Sequence, residues 1–188
     1  MTSPRCLQPP TGAALRDAVA ARRMVPALHA DRVRLRAPVV EDFALWADLM
    51  AGQDAAQLGG PLDAEAAWEA FCVYTAGWLL HGHGLWSVET TRDAALIGFV
   101  QIGLEWDDPE PELGYMLTPA ARGNGYATEA AQLARAHALS LMDSVVSYVD
   151  PGNLPSQRVA ARLGAARDPR AQAALGDGTQ VWRHGGTA

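Results

Sequence analysis

Apolar and charged residues alternate along Arg32-Val33-Arg34-Leu35-Arg36, a period of two that predicts a half-buried strand with its arginines on a solvated face, ended by Pro38. Beyond it the spacing lengthens. Phe43, Trp46, Ala47, Leu49 and Met50 recur at helical intervals behind Glu41 and Asp42, two acids suited to the positive end of a helix dipole, and Gly52 closes the segment. A second helix is predicted from its N-cap Asp63 through Trp68, Phe71, Cys72 and Trp78. Residues 84–89 and 95–105 read as an antiparallel hairpin across the polar turn Thr90-Thr91-Arg92-Asp93, and Glu112–Leu117 as a short strand stopped before Pro119.

The remainder alternates strand and helix. Residues 128–141, rich in alanine and leucine, predict a helix. Val145-Val146-Ser147-Tyr148-Val149 is a continuous β-prone run closed by Asp150-Pro151-Gly152, and a helix over 153–163 follows with Gly164 at its C′ position. Weak strands near Ala165 and over 180–184 complete a mixed sheet. The last of these, from Val181 to His184, is expected to offer an exposed edge for pairing across a dimer, so the protein is read as a monomer or a homodimer. Residues 1–30, with Pro4, Pro9 and Pro10 and a short helical pattern at Leu15 to Met24, are set apart as a flexible N-terminal extension. Residues 31–188 carry one α/β domain.

Composition narrows the chemistry. With 188 residues, 49% of them apolar, the chain can bury one substantial core, and no apolar run approaches the roughly 20 residues of a membrane span. A net charge of -6 disfavours nucleic acid as a partner and favours a neutral or cationic one. All 15 basic residues are arginines, which excludes Schiff-base chemistry, the P-loop lysine and the kinase lysine. Cys6 and Cys72 are isolated thiols with no CxxC spacing and no signal peptide ahead of them, pointing to a reducing cytoplasm. His81-Gly82-His83-Gly84 lacks acidic or thiol companions and reads as a loop, so no metal is expected. Trp46 and Trp68 fall on apolar helix faces and read as core, whereas Trp78, Trp86 and Trp106 are open to core or acceptor-pocket use.

The chemical opportunity lies at Arg122-Gly123-Asn124-Gly125-Tyr126-Ala127, between a strand and a helix. Glycines at 123 and 125 permit positive φ and leave no side chain over the turn, so its N–H groups and those opening the next helix can converge on an anion. Without a lysine this is no P-loop, and without a third glycine it is no dinucleotide fingerprint. A diphosphate held by backbone alone remains.

The segment from Leu117 through this turn to Ala130 resembles the acetyl-CoA-binding motif of the GNAT superfamily of N-acetyltransferases, whose Arg/Gln-x-x-Gly-x-Gly/Ala pattern is matched at Arg122, Gly125 and Ala127. Further likeness comes from Arg34-Leu35-Arg36 with Asp42-Phe43, from Ile97-Gly98, from Asp150-Pro151-Gly152-Asn153 with Ser156 and Leu163-Gly164, and from Val181-Trp182-Arg183-His184. Together these resemble the RimJ/RimL-like, ribosomal-protein-alanine acetyltransferase branch over about residues 32 to 184. The resemblance implies a central mixed, mostly antiparallel twisted sheet flanked by helices, with the parallel strands at 112–117 and 145–149 splayed apart. It implies acetyl-CoA as cosubstrate, its pantetheine arm beside Tyr115, Met116 and Leu117 and its pyrophosphate on the amides of Arg122, Gly123, Asn124, Gly125, Tyr126 and Ala127. A main-chain N–H near Tyr115 would hold the oxyanion, and Asn153 and Ser156 would contact the pantetheine arm, the Ser156 hydroxyl donating to the leaving thiolate.

An attacking amine must be neutral, losing its proton directly or through water, so a carboxylate near the cleft is useful. Glu112, at the start of the strand carrying the oxyanion donor, is the first candidate, and Asp107, Asp108 and Glu110 offer a water-mediated alternative. Many superfamily members carry a tyrosine acid where this chain has Ala160, so that role does not transfer, and Tyr126 and Tyr148 read as packing residues. The expected activity is acetyl transfer to a primary amine, either a small cationic amine or a peptide N-terminus. The competing reading is an acyl-CoA-binding module without turnover.

Overall fold

The computed structural model describes residues 4–52, 55 and 59–185. In chain order these form α1 (Gly12–Arg22), β1 (Leu28–His29), β2 (Val33–Arg36), α2 (Phe43–Met50), α3 (Ala64–Leu80), β3 (Leu85–Thr90), β4 (Leu96–Gly103), β5 (Glu112–Leu117), α4 (Tyr126–Ala138), β6 (Ser144–Val149), α5 (Leu154–Arg162), β7 (Ala166–Arg167), α6 (Pro169–Leu175) and β8 (Gln180–Gly185). One eight-stranded sheet runs β1-β2-β3-β4-β5-β6-β8-β7, antiparallel at every junction except β5 with β6. The mixed α/β architecture expected from the sequence is therefore present. Among the described residues no helix is long and apolar enough to cross a membrane.

Each face of the sheet buries its own cluster. On one side Ala130, Ala131, Ala134 and Ala138 of α4 are fully buried against Val88, Val100, Leu113 and Val145, with Val159 and Leu163 beside them. Four alanines on one stripe bring the helix axis close to the strands, so the N-terminus of α4 sits close to the end of β5. On the other side Phe43, Trp46 and Phe71 of α2 and α3 pack on Leu85, Phe99 and Met116 with edge-on aromatic contacts. Asp63 caps α3 as its sequence predicts, accepting from the Ala66 amide at 2.9 Å.

The parallel junction is barely made. β5 follows β4 in unbroken register from Glu112↔Gly103 to Leu117↔Gly98, and β6 follows β8 from Ser144 to Val149, yet β5 and β6 share only Glu112↔Val146. Gly98 lets β4 hug β5 (φ +154°), since a Cβ there would stand 2.1 Å from the Met116 carbonyl oxygen. The Thr118 amide donates to the Ile97 carbonyl, which fixes the ladder's phase: residues 112, 114 and 116 turn their main-chain groups to β4, and Leu113, Tyr115 and Leu117 turn theirs toward β6. The Ser147 hydroxyl supplies the missing ladder bond to the Leu113 carbonyl at 2.8 Å, and His184 Nε2 lies 3.0 Å from that hydroxyl. Burial, helped by the charge on Arg135, pushes the His184 imidazole down to about 4, so it supports this junction uncharged. Past this point the strands part.

Three expectations are corrected. The arginines of β2 do not form a solvated stripe. Arg36 binds Asp42 through two nitrogens at 2.6 and 2.8 Å and Glu89 at 2.6 Å; Arg34 also binds Glu89 at 2.6 Å, and Ser87 donates to Asp42 at 2.6 Å. These acids come from α2's approach and from β3, too far along the chain for period-two reading to find. The segment Val181 to His184 is not an edge, because β7 returns to cover it, and the outer strands of the sheet are β1 and β7. Helix α4 begins at Tyr126 and ends at Ala138, so its first turn belongs to the glycine turn itself. Strand β1, within the segment read as an extension, and helix α6 were not foreseen.

Because Asp42 is buried and shared by Arg36 and Ser87, removing it takes one of two carboxylates from Arg36 and leaves the buried Ser87 hydroxyl without its acceptor. Asp42→Ala is expected to lower the unfolding free energy by about 3 kcal/mol at pH 7 in urea denaturation, and a loss below about 1 kcal/mol would place the network among ordinary surface pairs.

Candidate active site

The parting of β5 and β6 opens a cleft of about 580 Å³, walled by both strands, by the turn before α4 and by the start of α5. The turn is built as its glycines require. Gly123 and Gly125 adopt φ of +76° and +83°, and Gly125 is the N-cap of α4. The amides of Tyr126, Ala127 and Thr128 open α4 and have no intrahelical acceptor. Asn124 does not cover them: its Nδ2 reaches back to the carbonyl of Arg122 at 3.1 Å and, more weakly, to that of Ala121 at 3.4 Å, bracing the turn from below. Such a nest of N–H groups at a helix N-terminus accepts an anion.

Arg32 holds the turn from outside. Its Nη1 donates to the Asn124 carbonyl at 2.9 Å, its Nε to Glu129 at 2.9 Å, and its guanidinium lies 5.1 Å from the centre of the Tyr126 ring. Sequence periodicity missed this, because Arg32 and Glu129 meet only when α4 lies on the sheet. Arg122 behaves differently from expectation. Its amide donates to the Pro119 carbonyl at 3.3 Å and its Nε to the Leu117 carbonyl at 3.1 Å, so it shapes the bend, and the amides offered to an anion begin at Gly123.

Along β5 the main-chain groups of Tyr115 and the amide of Leu117 face the gap without a strand partner. An extended chain laid there completes the sheet. Met116, expected beside the cofactor, lines the cleft, while its backbone bonds to Phe99 of β4 and its side chain packs against α2 and α3. Asn153 caps α5, its side-chain oxygen accepting from the Ser156 amide at 3.1 Å. The Ser156 hydroxyl is thereby aimed across the cleft, where it meets the Tyr115 phenol. Burial pushes that phenol up, and the bond from Ser156 moderates the shift.

Glu112 sits at the fork of the two strands, where its Oε1 accepts weakly from the Tyr148 amide at 3.4 Å. Burial pushes its carboxyl up to about 8, the nearby charges of Asp108 and Glu105 add to the shift, and the Tyr148 amide opposes it. A carboxylate tuned there is suited to taking a proton near neutral pH. The other acids are less suited. Glu110 is clamped by Arg183 at 2.6 and 2.7 Å, which holds its carboxyl below the usual range, and Asp108 accepts from the Glu105 amide at 2.7 Å. Ala160 is buried and brings no hydroxyl.

Trp46, Trp78 and Trp86 are core, their indoles donating to the carbonyls of Ala67, Leu85 and Pro26 at 2.9 Å each. Trp68 packs edge-on against Phe43, and Trp106 stands 98% exposed in the β4–β5 loop. His83 is held by the Ile102 carbonyl at 2.8 Å, and among the described residues no cluster of His, Cys, Asp and Glu is suited to a metal. Sequence reading missed Gln101 and Tyr74 altogether, although a glutamine on the inward register of an otherwise apolar strand was a readable signal.

Residues 32–166 match the Acetyltransferase (GNAT) domain. An acetyltransferase from Agrobacterium tumefaciens superposes with a TM-score of 0.78 and 34% identity over 86% of this chain and 95% of its own. A GNAT-family acetyltransferase from Bacillus anthracis (TM-score 0.65, 17% identity, 84% and 96% covered) and Mycobacterium smegmatis RimJ bound to CoA-disulfide (0.60, 20%, 85% and 86%) share the fold. A split sheet with a glycine turn at its mouth, a domain match over most of the length and a relative above 30% identity agree: the chain belongs to the GNAT acetyltransferase family, enzymes that draw their acetyl group from acetyl-CoA.

Proposed function

We propose that this protein is an N-acetyltransferase of the RimJ/RimL-like branch, acting by direct attack of a primary amine on acetyl-CoA held in the cleft between β5 and β6. The observation carrying this reading is the juxtaposition of a free N–H nest, an open β5 edge and a pKa-raised carboxyl along one cleft. The amides from Gly123 to Thr128 receive the pyrophosphate, and the unpaired main chain of Tyr115 and Leu117 pairs with the pantetheine arm. A β5 amide in this stretch, Tyr115 by register, faces the thioester oxygen and steadies the charge that develops on it, a contribution of a few kcal/mol when the donor is fixed beforehand.

Glu112 removes one proton from the ammonium form of the acceptor. The neutral nitrogen then adds to the thioester carbon, forming the C–N bond. As the tetrahedral intermediate collapses the C–S bond breaks, the nitrogen gives up a second proton and the sulfur takes one, with Ser156 as the nearest hydroxyl donor. The sum is an amide, free CoA thiol and one proton released to solvent. Ser156, oriented by Tyr115 and by the Asn153 cap, stands in for the hydroxyl that Ala160 does not supply.

Gly125→Val puts a β-branched side chain at φ +83° and a Cβ 3.2 Å from Arg32 Nη2. Calorimetry should show acetyl-CoA affinity reduced at least tenfold, with unaltered affinity contradicting the nest. Glu112→Gln should lower kcat by roughly 10²-fold or more, and it should abolish the rise of kcat through about pH 8 expected of the parent enzyme. CoA binding without turnover in the parent, across small amines and peptide N-termini, would favour the non-catalytic module. A stability test is independent of substrate. Because folding raises the Glu112 pKa, the native state keeps a proton that the unfolded chain loses, and stability falls as pH climbs from the ordinary carboxylate range through about 8. Glu112→Gln should therefore raise Tm at pH 9 more than at pH 4.5, and an equal effect at both would contradict the buried carboxyl.

A further inference from the structure

On the far face of β5 from α4, beneath α2 and α3, lies a slot of about 20 Å³, with Trp46, Tyr74 and Phe99 as walls and Gln101 and Gly114 at its base. Its size suits a group as small as an amino group or one water. The slot and the cofactor cleft share Gly114, Tyr115 and Met116 as lining, so they meet across one stretch of β5 backbone. Gly114 pairs with Gln101 across the ladder, and Glu112 stands on the same face two residues away.

Gln101 is 7% exposed, and its Oε1 has no hydrogen-bond partner. Its orientation follows from the neighbouring network. The Tyr74 hydroxyl gives its proton to Glu105, leaving the phenol oxygen able only to accept, and Gln101 supplies that bond. Only Nε2 can do so, which leaves Oε1 as the bare atom. A buried carbonyl oxygen without a donor is costly, and a primary amine carries the donors it lacks. Outside the slot the β4–β5 loop presents Glu105, Asp107 and Asp108 around the exposed Trp106, a surface that attracts a cationic body by charge and by its indole face.

Building on the proposed transfer reaction, we infer that this slot seats the acceptor's amino group, Gln101 Oε1 receiving one of its N–H bonds beside Glu112, and that the acceptor carries a second positive charge which the acidic loop holds. Gln101 thus aims the nitrogen lone pair across the side-chain-free Gly114 toward the thioester. The bond changes are those given above; Gln101 itself gains and loses no proton.

The test uses the full chain with acetyl-CoA and two probes, butane-1,4-diamine and 1-aminobutane. The diamine should give a kcat/KM at least tenfold higher at low salt, the advantage shrinking as salt is raised. Gln101→Met keeps the length and removes the oxygen, and should raise the diamine KM at least tenfold while leaving acetyl-CoA affinity unchanged. Gly114→Ala adds a methyl to the slot, with its nearest contact at 3.4 Å to Gln101, and should raise the diamine KM at least tenfold without touching the Tyr74 network. Variants that bind acetyl-CoA normally and keep the parental diamine KM overturn the inference, as does a parent that binds acetyl-CoA and acetylates neither probe. A parent that does not bind acetyl-CoA overturns the transfer reading along with it.

Discussion

Two strands that ought to be neighbours are each fully bonded on their outer side and touch one another at a single register point. That unmade ladder is what the rest of the molecule is arranged around. A row of unpaired main-chain groups in a sheet interior is unfavourable unless something completes it. Here Ser147 and neutral His184 complete the first position, Glu112 reaches across at the next, and beyond them the vacancy has the shape of an extended ligand. The helices are placed to serve it: α4 lies close on the sheet because its buried stripe is alanine, and its N-terminal amides meet the cleft where β5 ends.

The electrostatics follow the same geometry. With no lysine anywhere, the proposed anion site rests on peptide N–H groups; the nearby Arg32 is paired with Glu129, while Arg158 and Arg162 line the cleft. The fork that closes the ladder also shields Glu112 from water, so the residue marking the end of strand pairing becomes the one whose proton is held near neutral pH. One feature of the backbone thus underlies both the proposed cofactor seat and the proposed base. The cleft and the slot beneath α2 and α3 share Gly114, Tyr115 and Met116 of β5 as lining.

Much of this was legible in the chain. The glycine turn announced itself because φ restrictions act locally, and Asp63 was readable as a cap because its bond is local too. Period-two alternation located β2, and the polar turn at Thr90 to Asp93 located the β3–β4 hairpin. What escaped was whatever depends on two distant segments meeting. The arginines of β2 looked solvated because Glu89, Asp42 and Glu129 come from elsewhere in the chain; β8 looked like an edge because β7 is two residues long. Glu112 was chosen for its position on the strand, but its raised pKa belongs to the fork and to the acids of the preceding loop. Gln101 was visible as a polar residue on an inward register, yet only the Tyr74–Glu105 pair reveals which of its atoms is left bare.

The central claim is that an unfilled strand position and its adjoining nest of amides form a seat for an acyl-CoA. A crystal structure of the protein with acetyl-CoA tests it most directly. The account predicts pyrophosphate oxygens within about 3 Å of amides between Gly123 and Thr128, and a pantetheine amide paired with the main chain of Tyr115 between β5 and β6. Acetyl-CoA bound outside that gap, or a gap closed by β5 and β6 zipping together, would contradict it.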